Sequence, residues 1–134
     1  MDEFKIIQNI LKEIGVNYRI EKIDIYDSII LDLNQETKFT ISITPYPTTE
    51  LKTRLIQFYF EFTKPKKYSD LKLKEILIDK NKELPYGNLN LIINQIYYRY
   101  IMVCKRNSIE KEIILDIFNV IRHIIDNVIV DLLD

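Results

Sequence analysis

The chain has no tryptophan and no alanine, and only 2 glycines and 4 prolines among its 134 residues. So few chain-breakers leave no room for long flexible linkers or low-complexity tails. With Gly15 and Gly87 the only glycines, the Gly-rich loops that cradle nucleotide phosphates are excluded. Without alanine, a core has to be packed from Ile, Leu, Phe and Tyr. A single cysteine, Cys104, precludes an internal disulfide and fits a reducing compartment. The one histidine, His123, and that one thiol are too few soft ligands for a zinc site. No apolar run approaches the roughly 20 residues of a membrane-spanning helix. The opening MDEFKIIQNILKE carries acids where a secretory signal carries bases, and Lys5, Gln8, Asn9 and Lys12 interrupt its apolar positions. A cytoplasmic protein that contacts no membrane and needs no cofactor is the expectation.

What is present describes one globular domain spanning residues 1–134. Hydrophobic residues make up 47% and charged residues 29%, ordinary values for a packed domain. The net charge of −1 gives no overall pull toward nucleic acid or anionic lipid. The charge is uneven, however. Lys64, Lys66, Lys67, Lys72, Lys74, Lys80 and Lys82 make the middle of the chain basic, while Glu110, Glu112, Asp116, Asp126, Asp131 and Asp134 make its end acidic. Such runs are read as solvated helix faces, or as a charge-guided docking surface.

Periodicity supplies the architecture. Phe4, Ile7, Leu11 and Ile14 recur at helical spacing, with Asp2 and Glu3 in the first turn and Gly15 as a stop. The period then drops to two. Val16, Tyr18 and Ile20 alternate, and Ile23 and Ile25 resume one position out of phase, which predicts a bulge near Glu21 and Lys22. A turn at Asp27 and Ser28 would lead to a strand with Ile29, Leu31 and Leu33. The polar turn NQET would lead to another with Phe39, Ile41 and Ile43. The prolines of TPYPTTE cannot both occupy a central strand. Ile56, Phe58, Phe60 and Phe62 form the strongest strand signal, with Leu55, Gln57, Tyr59 and Glu61 on the opposite face. Ser69 is placed as the N-cap of a second helix carrying Leu73, Ile76, Leu77 and Leu84 inward. Leu89, Leu91 and Ile93 then pair across a joint at Asn94 and Gln95 with Ile96, Tyr98, Tyr100, Met102 and Cys104. Ser108 would cap an unbroken final helix with an apolar stripe from Ile113 to Leu133. The result is an α+β domain, order α-β-β-β(-β)-α-β-β-α, with an antiparallel sheet backed by helices.

No constellation in this inventory carries chemistry. Cys104 beside Lys105 and Arg106 is read as a buried, inert thiol, and His123 as a helix-flank residue. Asp24, Asp27 and Asp32 suit an exposed edge better than a catalytic pair. Tyr97, Tyr98, Tyr100 and Arg99 superficially suggest an RNA-stacking sheet. Alternation, however, puts Tyr98 and Tyr100 on the face that the last helix covers. Leu55, Tyr59, Tyr97, Ile101 and Val103 fall opposite the assigned core and would make a partly apolar docking or dimerisation surface. The other reading of that surface is that the helix from Ser69 covers it.

The element order, together with LPYGNLNLIINQIYYRYIMVCKRNSIEKEIILDIFNVI, resembles type III secretion chaperones and YbjN-like proteins. Tyr86 and Gly87 match the turn, Leu89 to Ile93 the first strand, and Ser108 to Ile121 the helix start. The joint at Asn94 and Gln95 departs from the acidic, glycine-containing turn of that pattern. The resemblance implies a non-enzymatic domain that binds a client or partner polypeptide, commonly as a homodimer. It carries over no residue of known function; alternation, which puts Leu55, Tyr59, Tyr97 and Ile101 on the open face, makes them the expected contacts. A toxin-neutralising immunity protein is the alternative expectation, and an RNA-binding protein a third.

Overall fold

The computed structural model describes residues 2–34, 39–46 and 53–133. Helix α1 spans Glu3–Ile14. Asp2 caps it, its Oδ1 accepting the Lys5 N–H at 2.9 Å. At its end Gly15 turns left-handed at φ 87°. The Val16 N–H reaches the Leu11 carbonyl at 3.0 Å and the Gly15 N–H reaches that of Lys12 at 3.2 Å, a Schellman closure that the sequence placed correctly.

The strands are β1 (Arg19–Ile23), β2 (Tyr26–Asn34), β3 (Phe39–Pro45), β4 (Thr53–Thr63), β5 (Asn88–Ile92) and β6 (Gln95–Lys105), with helix α2 (Asp70–Asn81) between β4 and β5. They form one antiparallel sheet in the order β1-β2-β3-β4-β6-β5. The α+β expectation holds.

The expected bulge at Glu21 and Lys22 is instead a hairpin turn. Ile23 pairs with Tyr26 across Asp24 and Ile25, and Asp24 takes φ 56°, a conformation its short polar side chain tolerates. Asp27 and Ser28 therefore lie inside β2. A two-residue reversal shifts apolar phase by the same one position as a bulge, so alternation alone does not separate them. The second joint also moves by one residue. Ile92 pairs with Gln95, so Ile93 and Asn94 make the turn, and Ile93 stands 81% exposed at φ 54°. The Leu89–Tyr98 and Leu91–Ile96 pairs fix this register, because a slip would turn buried side chains to water. Pro45 ends β3, while Pro47 and most of NQET lie outside the described residues.

The core follows from the register. Ile29, Ile43, Phe58 and Tyr100 form one row across the sheet, and Leu31, Ile41, Phe60, Tyr98 and Leu89 another. Ile7, Ile10 and Leu11 of α1, Leu73 and Leu77 of α2, and Ile114, Ile117 and Ile121 of helix α3 (Lys111–His123) share one buried cluster with these rows. All three helices therefore cover the same face. Ser69 caps α2 as expected, accepting the Lys72 N–H at 3.2 Å.

Ser108, by contrast, does not cap α3. Its hydroxyl donates to the Lys105 carbonyl at 2.6 Å, and Glu110 takes the N-cap position without a side-chain bond. Nor is the last helix unbroken. After His123 the chain widens into a π turn, Ile124–Val128, and then tightens into a 3-10 turn, Val130–Leu132. The inserted residue re-phases the stripe, so that Ile124, Ile129 and Leu132 are all buried. Lys80 secures this segment, donating to the Val128 carbonyl at 2.5 Å and pairing with Asp131 at 2.8 Å.

Candidate functional site

Because β4 and β6 are neighbours in the sheet, residues of one parity from both strands meet on the face that carries no helix among the described residues. Glu61 lies opposite Tyr97, Tyr59 opposite Arg99, Gln57 opposite Ile101 and Leu55 opposite Val103. Leu55, Tyr59, Tyr97 and Ile101, the predicted contacts, thus share one surface. The packing of α2 into the common core answers whether that helix covers it.

The surface has two parts. Toward the β6 C-terminus it is apolar: Leu55 is half-buried, while Ile101 and Val103 are 38% and 64% exposed. Toward the middle it becomes a polar, aromatic concavity of about 680 Å³ that includes Tyr26, Tyr46, Gln57, Tyr59, Tyr97 and Arg99. Gln57, 7% exposed, organises it. Its Oε1 accepts the Tyr46 hydroxyl at 2.7 Å and Arg99 Nε at 3.1 Å, which holds the Arg99 guanidinium 5.9 Å from the Tyr59 ring centre. Tyr59 and Tyr97 meet edge to face at 6.2 Å, as do Tyr26 and Tyr46 at 5.3 Å. Ser28 and Thr44 share a buried 2.7 Å hydroxyl contact in the floor. Burial, and then the hydrogen bond and charge of Glu61, push the Tyr97 phenol up to about 12, so it is a neutral donor at physiological pH.

The remaining sequence candidates scatter. Tyr98 is buried on the helix side and donates to the Tyr86 carbonyl at 2.8 Å, so the tyrosines and Arg99 do not form one stacking platform. Cys104 also faces the helix side, where burial raises its pKa. His123 is an exposed helix residue beside Asn127. Asp32 pairs with Arg19, while Asp24 sits at a hairpin tip. Among the described residues there is no group of three His, Cys, Asp or Glu side chains able to hold a metal ion. Among the described residues no helix is long and apolar enough to cross a membrane.

Sequence reasoning missed two polar arrangements. The Gln57 hub is one; its only signal was the shared parity of Gln57 and Tyr59 in β4. The other is a buried ion pair, Glu3 Oε2 to Arg54 Nε at 3.4 Å, with the Asn107 N–H on the second Glu3 oxygen at 3.4 Å. It ties α1, β4 and the β6–α3 loop together. A first-turn acid gave no hint of it.

Neither a protein-family model nor a curated protein matches the sequence.

Proposed function

We propose that this chain is a non-catalytic protein-binding domain, chaperone-like or regulatory, which docks a partner polypeptide on its open sheet face in the cytoplasm. A second copy of the chain is one such partner. The observation that carries the reading is the convergence of Leu55, Tyr59, Tyr97 and Ile101, from two adjacent strands, on the face opposite the three helices. An apolar strip beside a rim of Tyr and Arg has the composition of a docking surface, where half-buried aromatics supply contact area at low entropy cost. Arg99 is bound to Gln57 and Glu61 to Tyr97, so these charged groups hold the aromatic side chains of the face in place. The resemblance of the element order to secretion chaperones and YbjN-like proteins, read from the sequence, agrees with this proposal.

The test is the double variant Tyr59→Ala/Tyr97→Ala. In a pull-down from native cytoplasm with mass-spectrometric identification, and in light-scattering measurement of oligomeric state, it should lose partner or self-association while keeping the far-UV spectrum of the parent. Association unchanged by the double variant removes the proposal. Capture of a toxin would make the chain an immunity protein, and capture of RNA with steep salt dependence would replace the reading altogether.

A further inference from the structure

Strand β6 is 11 residues long, yet β5 is only 5 and pairs with β6 no further than Asn88 opposite Arg99. A two-residue hairpin turn makes its flanking residues, here Ile92 and Gln95, a hydrogen-bonded pair. Gln95, Tyr97 and Arg99 therefore aim their N–H and C=O groups at β5, and the same row continues outward at Ile101 and Val103. Among the described residues no strand lies beside that continuation, and no backbone bond is made to it. The reason is local. Before Asn88 the chain drops off the sheet line toward the helices, where the Tyr98 hydroxyl holds the Tyr86 carbonyl and the Tyr86 ring packs at 6.0 Å on Tyr100.

A second feature adjoins this edge. On the helix side a largely apolar groove of about 230 Å³ runs between α3 and β6, with Tyr100 and Met102 in its floor, Ile113, Ile117 and Val120 along α3, Tyr86 at its end and Asp116 as its one charged lining residue. An unpaired strand edge with an apolar slot beneath it is the arrangement that takes an added strand: main-chain bonds provide affinity, and alternate side chains fill the slot.

We propose that Tyr100–Lys105 and this groove form a strand-addition site for an extended, alternately apolar segment of another protein, carrying carboxylates at the end that meets Lys105 and Arg106. The inference rests on the protein-binding reading and specifies how the partner is held. Antiparallel to β6, the segment runs in line with β5 and stops where Asn88 begins. Lys105 and Arg106 are exposed and take part in no ion pair among the described residues, so an acidic flank matches them. A second copy of β6 fits poorly. Self-pairing centred on Met102 would bring Lys105 of one chain onto Arg99 of the other, where Asn88 already sits, and would oppose like charges.

The test uses the fluorescein-labelled peptide Asp-Glu-Leu-Thr-Leu-Thr-Val and the intact chain. Anisotropy should rise to saturation, and exchange of the Ile101 and Val103 amide protons should slow when peptide is added. Val103→Pro removes an outward N–H without touching the β4–β6 ladder and should weaken binding by about tenfold or more. Val120→Glu, which charges the groove wall, should do the same and decides the matter if the proline variant does not fold. The peptide reaches only the β6 edge and its groove, so its titration reads this site alone while the pull-down with Tyr59→Ala/Tyr97→Ala reads the open face, and failure of one is told apart from failure of the other. The proposal is overturned by a flat titration to about 1 mM peptide, by folded Val103→Pro and Val120→Glu proteins that bind as the parent does, or by a dimer that excludes the peptide and dissociates on Val103→Pro.

Discussion

The two glycines offer a controlled comparison, because both are left-handed but only one is crowded. At Gly15 (φ 87°) a Cβ would meet nothing within 4 Å. At Gly87 (φ 71°) it would fall inside van der Waals contact of the Arg99 carbonyl oxygen and 2.8 Å from Tyr98 Cζ and Oη. Alanine costs either site about 1–2 kcal/mol for the left-handed backbone, offset by about 0.5–1 kcal/mol from a less flexible unfolded chain. Gly15→Ala should therefore destabilise by about 1 kcal/mol. Gly87→Ala must also move a backbone carbonyl held in the β5–β6 hairpin or push the Tyr98 ring aside. Displacing that ring breaks the 2.8 Å bond from the Tyr98 hydroxyl to the Tyr86 carbonyl and strands a hydroxyl in the core, worth about 1–3 kcal/mol. The combined loss at Gly87 is about 2–4 kcal/mol. Urea unfolding followed by circular dichroism reads both variants with one slope, since neither changes the surface exposed on unfolding. If Gly87→Ala lies within about 1 kcal/mol of Gly15→Ala, the close packing of the 84–87 segment on β6 is wrong, and with it the reason the β6 edge is left open.

Ile93 holds a branched side chain at φ 54° in an exposed turn, so Ile93→Gly should stabilise by about 1 kcal/mol and raise the urea midpoint; an unchanged or lower midpoint contradicts it. Tyr97 and Tyr98 are each pushed up to about 12, chiefly by burial, against an ordinary value near 10 in the unfolded chain. Their folded pKa is the higher one, so the stability they contribute is fully present below about pH 10 and is lost as pH rises toward about 12. Residue-resolved NMR titration should place the Tyr97 and Tyr98 phenols well above the ordinary value near 10, and Glu61→Gln should lower that of Tyr97 only in part, because burial is the larger cause; ionisation of both at the ordinary value refutes the assignment.

Much of this molecule is readable from local rules. Alternation along β4 separates Ile56, Phe58, Phe60 and Phe62 from Leu55, Gln57, Tyr59 and Glu61 without any structure, because successive side chains of a strand must point to opposite faces. Capping is as local, and Asp2, Ser69 and Gly15 act where their chemistry requires. Turn placement was less legible. A two-residue reversal at Asp24 and a bulge at Glu21 leave the same trace in an apolar pattern, and only the pairing of Ile20 with Ile29 separates them. Ser108 had the chemistry of a cap and used it on the Lys105 carbonyl instead.

Local pattern suffices for most of the helices and strands, for the inward residues of β4 and β6 and for the α+β class, since each depends on a few neighbouring positions. Tertiary structure alone decided that β6 inserts between β4 and β5, which brings Tyr59 to Tyr97 and leaves Ile101 and Val103 at an open edge. It also decided that Glu3 meets Arg54, that Gln57 collects Tyr46 and Arg99, and that the last helix loosens into a π turn. These depend on contacts between residues far apart in the chain, and the order of strands in an antiparallel sheet is set by which rows of side chains pack together beneath the helices, a condition no local period encodes.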